Sequence, residues 1–196
     1  MRNATATKQK ILIESANLFN TQGYKATSIS DITKATGLTK GAIYRHFESK
    51  QDLEQQALRN LSRLLFSNLG SSIKEAKTFK TKFDAIFEFF ENYMESPYYE
   101  GGCPLMNVAV EVDDSNSVLR QQAFNMLAQL RASIKVLFQN GIKNKQVKPD
   151  IDIEFYATIV ISSLEGGIMM SKLERNKNAI THCVKHLEMV IQSVSL

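Results

Sequence analysis

The sequence predicts an all-α fold of nine helices, and three observations carry that prediction. Proline occurs only at Pro97, Pro104 and Pro149, so the long segments between them are free of the residue that most disrupts a helix. The nine glycines form no glycine-rich run. Apolar residues return every three or four positions through most of the chain, the period of a helix that packs on one face. At 196 residues, 43% hydrophobic and 22% charged, the chain can bury a substantial core, which excludes disorder as its main state.

The first helix is expected from about Thr5 to Thr21, with Ile11, Leu12, Ala16, Leu18 and Phe19 on its apolar face and Gly23 placed to end it in a left-handed turn. A short second helix follows, capped by Ser28 or Thr27. Asp31 sits in its first turn, where the helix dipole favours an acid, Ile29, Ile32 and Ala35 face inward, and Gly37 ends it. Thr39 caps a third helix through Arg45, with Ile43 and Phe47 turned back onto the first two. Ser49 and Asp52 form an abbreviated capping box for a long fourth helix striped by Leu53, Ala57, Leu61, Leu64, Leu65 and Leu69.

Beyond it, Phe79, Phe83, Ile86, Phe87, Phe90 and Met94 mark a fifth helix, and a turn around Ser96 to Gly102 precedes a short sixth from Pro104 to Val112. Leu119, Ala123, Met126, Leu127, Leu130, Ile134 and Leu137 define a long seventh helix expected to stop at Gly141. Asp150 or Asp152 caps an eighth that runs to about Glu174, and a ninth covers about Ala179 to Val194. The expected division is a three-helix head at residues 1–50 and a helical body at 51–196, joined by the long fourth helix.

Charge separates the same two regions. Residues 1–47 hold seven basic side chains (Arg2, Lys8, Lys10, Lys25, Lys34, Lys40, Arg45) against Glu14 and Asp31, a net of +5, whereas the whole chain carries +4. A basic end on a near-neutral body is the footprint of a small nucleic-acid-binding module attached to a domain with another task. The polar start lacks the apolar core of a secretory signal, and Ser162, Ser163 and Glu165 interrupt the apolar stretch 157–170, so a cytoplasmic protein with no membrane span is expected. Cys103 and Cys183 fit no metal or disulfide framework, and His182 and His186 flank Cys183 without the Glu of a zinc-protease motif. No nucleophile elbow, phosphate loop or nicotinamide motif is present, so neither catalysis, nor a cofactor, nor a metal is expected. An all-α enzyme or small-molecule carrier is the reading from another class.

The segment from Ser28 to Phe47 is two short helices joined by a tight turn at Gly37, the geometry in which the second helix enters a DNA major groove while the first braces it. Thr39, Lys40 and Gly41 open that second helix with a hydroxyl, a cation and a gap through which backbone can approach DNA. Tyr44, Arg45 and His46 cluster at its far end. Lys50 with Ser49 opens the next helix, whose free N–H groups suit a phosphate, and Thr27 and Ser28 offer the same on the opposite flank. Lys40 can pair with guanine or rest on a phosphate.

Gly23-Tyr-Lys-Ala-Thr-Ser-Ile29, Asp31-Ile32, Gly37-Leu-Thr-Lys-Gly-Ala-Ile-Tyr-Arg-His-Phe47 and Ser49-Lys-Gln-Asp-Leu53 together closely resemble the signature of the TetR family of bacterial transcription regulators. Thr33 and Thr36 depart from it, standing where the family usually has Ala. The resemblance implies DNA contacts by Thr39, Lys40, Gly41, Tyr44 and His46, with Lys50 and Thr27 on phosphates. It also implies a homodimer on a pseudo-palindromic, double-stranded operator, released when a small molecule enters the C-terminal domain.

That domain has its own signals. An apolar or aromatic effector is expected among Phe87, Phe90, Met94, Cys103, Met106 and Met169, oriented by polar groups such as Asn107 and Glu111, with Phe83, Tyr93, Tyr98, Tyr99, Phe124, Met126 and Met170 as further ring and thioether candidates. Gly101-Gly-Cys-Pro-Leu-Met-Asn107 resembles an element found in one branch of the TetR family. Cys103, just ahead of a helix N-terminus, makes thiol sensing of oxidants or electrophiles an alternative signal. The dimer contact is expected on the last two helices, at Phe155, Ile159, Ser162, Ser163 and Gly166 together with Leu187, Val190 and Ile191, near Gly167 and Ile180.

Overall fold

The computed structural model describes residues 4–94, 100–112 and 116–196. Among them are nine α-helices, a single 3-10 turn at Asn92–Met94 and no strand. The helices are α1 (Ala4–Gln22), α2 (Ile29–Thr36), α3 (Lys40–Tyr44), α4 (Lys50–Ile73), α5 (Phe79–Glu91), α6 (Pro104–Val112), α7 (Ser117–Lys143), α8 (Ile153–Glu174) and α9 (Asn178–Val194). Two compact units emerge. One comprises residues 1–65 with 99–126, the other 66–98 with 127–196. The division differs from the expected boundary at residue 50, because α6 packs on α1 and groups, with the start of α7, in the first unit; α4 and α7 each begin in the first unit and end in the second.

In the first unit, local chemistry sets each helix end. The Ser28 hydroxyl accepts the Asp31 N–H at 3.2 Å while the Asp31 carboxylate accepts the Ser28 N–H at 2.9 Å, a closed capping box. Gly37 stops α2 at φ +67°, and Thr39 caps α3 by accepting the Ala42 N–H at 3.2 Å. Ser49 accepts the Asp52 N–H at 3.1 Å, and Asp52 reaches back to the Glu48 N–H, one residue beyond the expected box. Ile11, Phe19, Ile32, Ile43, Phe47, Leu53 and Leu61 close the core, and the Phe19 and Tyr24 rings stack at 5.0 Å. Thr36 is buried, yet its hydroxyl donates to the Ile32 carbonyl at 2.7 Å, which satisfies a polar group where the family usually has Ala.

The second unit is built on aromatic residues. Phe79, Phe83 and Phe138 form a triangle with ring centroids 4.9 to 5.2 Å apart. Thr78 caps α5, and Asp152, of the two candidates, caps α8 by accepting the Phe155 N–H at 3.1 Å. α7 runs two residues past Gly141 and ends where Lys145 takes the left-handed conformation and the Gln146 N–H bonds the Gly141 carbonyl at 2.8 Å. Gly141 serves packing instead: a Cβ there would lie 2.6 Å from Val147 and 2.8 Å from Phe79. α8 packs on α9, and Gly167 lets them approach closely, since its Cβ would fall 3.0 Å from the Ile180 Cα. An isolated antiparallel bridge between Val147 and Ser195 fixes the C-terminus.

Candidate nucleic-acid interface

α3 is only five residues long, and its position depends on burying Ile43 beneath it while its other side stays open. Thr39, Lys40, Gly41, Tyr44 and Arg45 are exposed, His46 is half-exposed, and Ser28 is exposed at the start of α2. Nothing lies within 4 Å of where a Gly41 Cβ would stand, so backbone at that point is accessible to a bulky partner. The Lys40 ammonium rests 5.9 Å from the Tyr44 ring centroid, which holds the cation along the helix. A hydroxyl, two cations, a phenol and an imidazole thus share one outward surface, the inventory needed for phosphate and base-edge contacts.

Two expected phosphate contacts are corrected. Thr27 is fully buried, and its hydroxyl donates to the Gly23 carbonyl at 2.7 Å, so it braces the turn after α1 from inside. Lys50 is also used internally: its ammonium donates to the Tyr24 carbonyl at 2.7 Å and pairs with Glu54 at 3.2 Å. Burial raises the Glu54 carboxyl above its usual range, opposed by Lys50 and reinforced by the charge of Glu111. Burial likewise pushes the Tyr24 phenol up, and its hydroxyl has no hydrogen-bond partner among the described residues.

The same turn is held from α6. Both carboxylate oxygens of Glu111 are engaged, one by the Tyr24 N–H at 2.8 Å and the other by the Lys25 N–H at 2.7 Å. The Asn107 amide donates to the Asn20 carbonyl at 3.1 Å, its side-chain oxygen at 3.0 Å and the Gly101 carbonyl at 2.9 Å. Asn20 in turn donates to Glu100 and Gly102. Gly101, at φ +93°, is required there because a Cβ would meet the Asn20 backbone. Asn107 and Glu111, expected to orient a ligand, instead clamp α6 to the helices that carry the exposed surface. Only their distance in sequence, 86 or 87 residues from those partners, hid this.

Of the expected pocket residues, Phe90 lines a small apolar cavity in the second unit with Leu69, Ile86, Leu130, Ile134 and Leu164 among its walls. The cavity measures about 10 Å³, room for at most one water. Phe87 is buried against Phe83 and is not among its walls. Met169 is corrected to an exposed side chain on α8. Cys103 is 1% exposed at the start of α6, and Met106 is half-buried in the same unit. The Met94 side chain and Tyr98 and Tyr99 lie outside the described residues.

On α8, Phe155, Ser162, Met169 and Leu173 are exposed and Ile159 and Gly166 half-exposed, all at helical spacing on one face, with Ser163 beside them. Val190 is half-exposed on α9. Leu187 and Ile191, expected at a dimer contact, are corrected to the core of their own unit, 0% and 3% exposed. α8 is long and apolar enough to cross a membrane by length and composition, with mean hydropathy 1.3 in its most apolar window. Its composition follows from having one face packed on α9 and another apolar and open.

Comparison with known proteins agrees with this architecture. Residues 11–57 match the family model described as bacterial regulatory proteins, tetR family, and residues 80–187 match the tetracyclin repressor-like C-terminal domain. The HTH-type transcriptional repressor DhaR of Mycobacterium sp. (strain GP1) is 26% identical over 90% of this chain and 87% of its own. A TetR transcriptional regulator from Chloroflexus aurantiacus superposes with a TM-score of 0.95 at 33% identity, covering 100% of this chain and 98% of that one. A TetR-family regulator from Cytophaga hutchinsonii does so at 0.90 with 27% identity, covering 100% and 98%. With its capped, outward-facing α3 and both halves of the chain matched, this protein belongs to the TetR family of DNA-binding transcriptional regulators.

Proposed function

We propose that the chain acts in the cytoplasm as a homodimeric repressor that binds a pseudo-palindromic operator and leaves it when a small apolar or aromatic effector enters residues 51–196. The observation that carries this reading is the open apolar face of α8, at Phe155, Ile159, Met169 and Leu173, in a chain whose single α3 reads too few bases for a specific site. Pairing two copies through that face covers it and doubles the reading surface. Repression is supported by the names of relatives such as DhaR.

The effector reading is supported by the apolar cavity around Phe90 and Leu130. Because about 10 Å³ cannot hold an organic molecule, binding goes with opening of this region, which is a population shift. α4 is one uninterrupted 24-residue helix that starts in the unit of the DNA-reading elements and contributes Leu69 to the cavity walls in the other, which makes it the element whose displacement this reading invokes.

The test is binding of purified protein to the DNA flanking its own coding region at two salt concentrations. Specific binding that weakens with salt and is lost in Lys40→Ala and Tyr44→Ala supports the reading, and the same assay then screens effectors. Reciprocity is required: DNA must weaken effector binding by the factor by which effector weakens DNA binding. An effector bound equally by free and DNA-bound protein sinks the release mechanism.

A further inference from the structure

In the first unit a concave trough of about 590 Å³ runs between the start of α1 and the middle of α4. Lys8, His46, Gln56, Arg59, Asn60 and Arg63 line it, and no carboxylate does. Some exposed cations of this protein stand against acids, as Lys80 does with Asp84 and Arg131 and Lys135 do with Glu154. Here they do not. Lys8 sits over the Phe47 ring, 5.3 Å from its centroid, Arg63 donates only to the Asn60 side-chain oxygen at 3.0 Å, and no ion pair among the described residues engages Arg59. Asn60 is 7% exposed and holds Arg63 in place, and Gln56 is fixed by its bond to Asp52 at 2.9 Å. Three like charges around one hollow repel each other, and a polyanion laid among them relieves that repulsion.

We propose that this trough takes the sugar-phosphate backbone of the operator just outside the bases read by α3. His46 belongs both to the trough and to the outward surface at the end of α3, so the two are continuous. From Gln56 to Arg63 α4 advances about 10 Å. The trough spans about two turns of α4 and the start of α1, so it offers more than one positive group to a phosphate backbone. The contact reads no sequence; it adds affinity and lengthens the footprint beyond the half-site. It rests on the DNA-binding function of the head.

The experiment measures binding of the full-length Arg59→Ala/Arg63→Ala protein to an operator duplex with and without five extra flanking base pairs, across a salt series. Both side chains are exposed, so the fold is retained, and Arg59→Lys/Arg63→Lys serves as the charge-conserving control. The expected result is a log–log salt slope shallower by about 3.6 in the Ala protein, roughly 0.9 for each of two cations in each of two copies on the operator, restored by Lys. Wild type should gain affinity from the flanks and the Ala protein should not. An unchanged slope and an unchanged response to the flanks overturn the proposal. So does pyrophosphate binding that is lost in the Ala protein while its DNA slope stays wild-type, which assigns the trough to a free phosphorylated molecule. Failure of wild type to bind any duplex in a salt-dependent way is a separate outcome, and overturns the DNA-binding reading on which the trough depends.

Discussion

Glu111 on α6 accepts the backbone N–H of Tyr24 at 2.8 Å, in the turn that delivers the chain from α1 into the DNA-reading pair. Its second oxygen takes the next N–H, that of Lys25. Glu111→Ala leaves both donors without this acceptor and is expected to cost about 1–3 kcal/mol. The urea midpoint should fall, and operator affinity should fall with it because the turn no longer holds α2 and α3 in register. Wild-type stability in this variant would mean that the carboxylate does not hold the turn.

Thr27 separates a structural role from a DNA contact. Thr27→Val removes the bond to the Gly23 carbonyl and should lower stability by about 1 kcal/mol, while operator affinity of the folded protein stays within about twofold of wild type. A large loss of affinity at unchanged stability would return Thr27 to the phosphates.

Adjacent glycines on α8 predict opposite responses. Gly167→Ala drives a methyl toward the Ile180 backbone and should cost about 1–3 kcal/mol, lowering Tm by roughly 2–4 °C per kcal/mol. Gly166→Ala meets open space within one chain and should stabilise the helix by up to about 1 kcal/mol, yet weaken self-association if this face pairs with a second copy. Thermal unfolding and sedimentation velocity read the two effects separately. Equal behaviour of the two variants would show that the faces of α8 are wrongly assigned.

Two carboxylates predict opposite pH dependence. Glu54 is raised in the folded state, chiefly by burial, so as pH falls through its folded pKa toward the unfolded value the native state takes up its proton first and stability rises. Asp31 is lowered by its bonds from Ser28, so its contribution is present above the unfolded value and is lost as pH falls through the folded one. Urea midpoints across pH should therefore lose the first trend in Glu54→Gln and the second in Asp31→Asn. A profile unchanged by either substitution would contradict the assignment.

What could be read from the chain alone was whatever depends on near neighbours. The cap at Ser28, one of two candidates, the cap at Thr39, the stop at Gly37 and the start of α6 at Pro104 each involve residues within four positions, and each stands where it was expected; Asp31, expected only as an acid facing the helix dipole, also closes a capping box. The errors share a different cause. Lys50, Asn107 and Glu111 are polar residues whose type suits a ligand, but their partners include backbone groups brought near by folding, from 26 to 87 residues away; Thr27 bonds a near carbonyl, and what its local sequence did not reveal is its burial. Leu187 and Ile191 fit an apolar helix face equally well inside or between chains, because periodicity gives a face and not its neighbour. Gly141 was expected to end a helix and instead makes room for Phe79 and Val147, which nothing in its local sequence distinguishes.

The clamp from α6 also sets an order of events for the nascent chain. The unit containing α1 to α3 is discontinuous, completed by residues 99–126, and its turn at Tyr24 is fixed by a side chain 87 positions later. A ribosome adding about 5–20 residues per second takes several seconds to pass from the end of the first segment to Glu111. During that interval the DNA-reading helices exist without their last support. The step that completes them is a long loop closure, so the rate at which new protein becomes competent for DNA is governed by non-local contact formation rather than by the speed at which three short helices form.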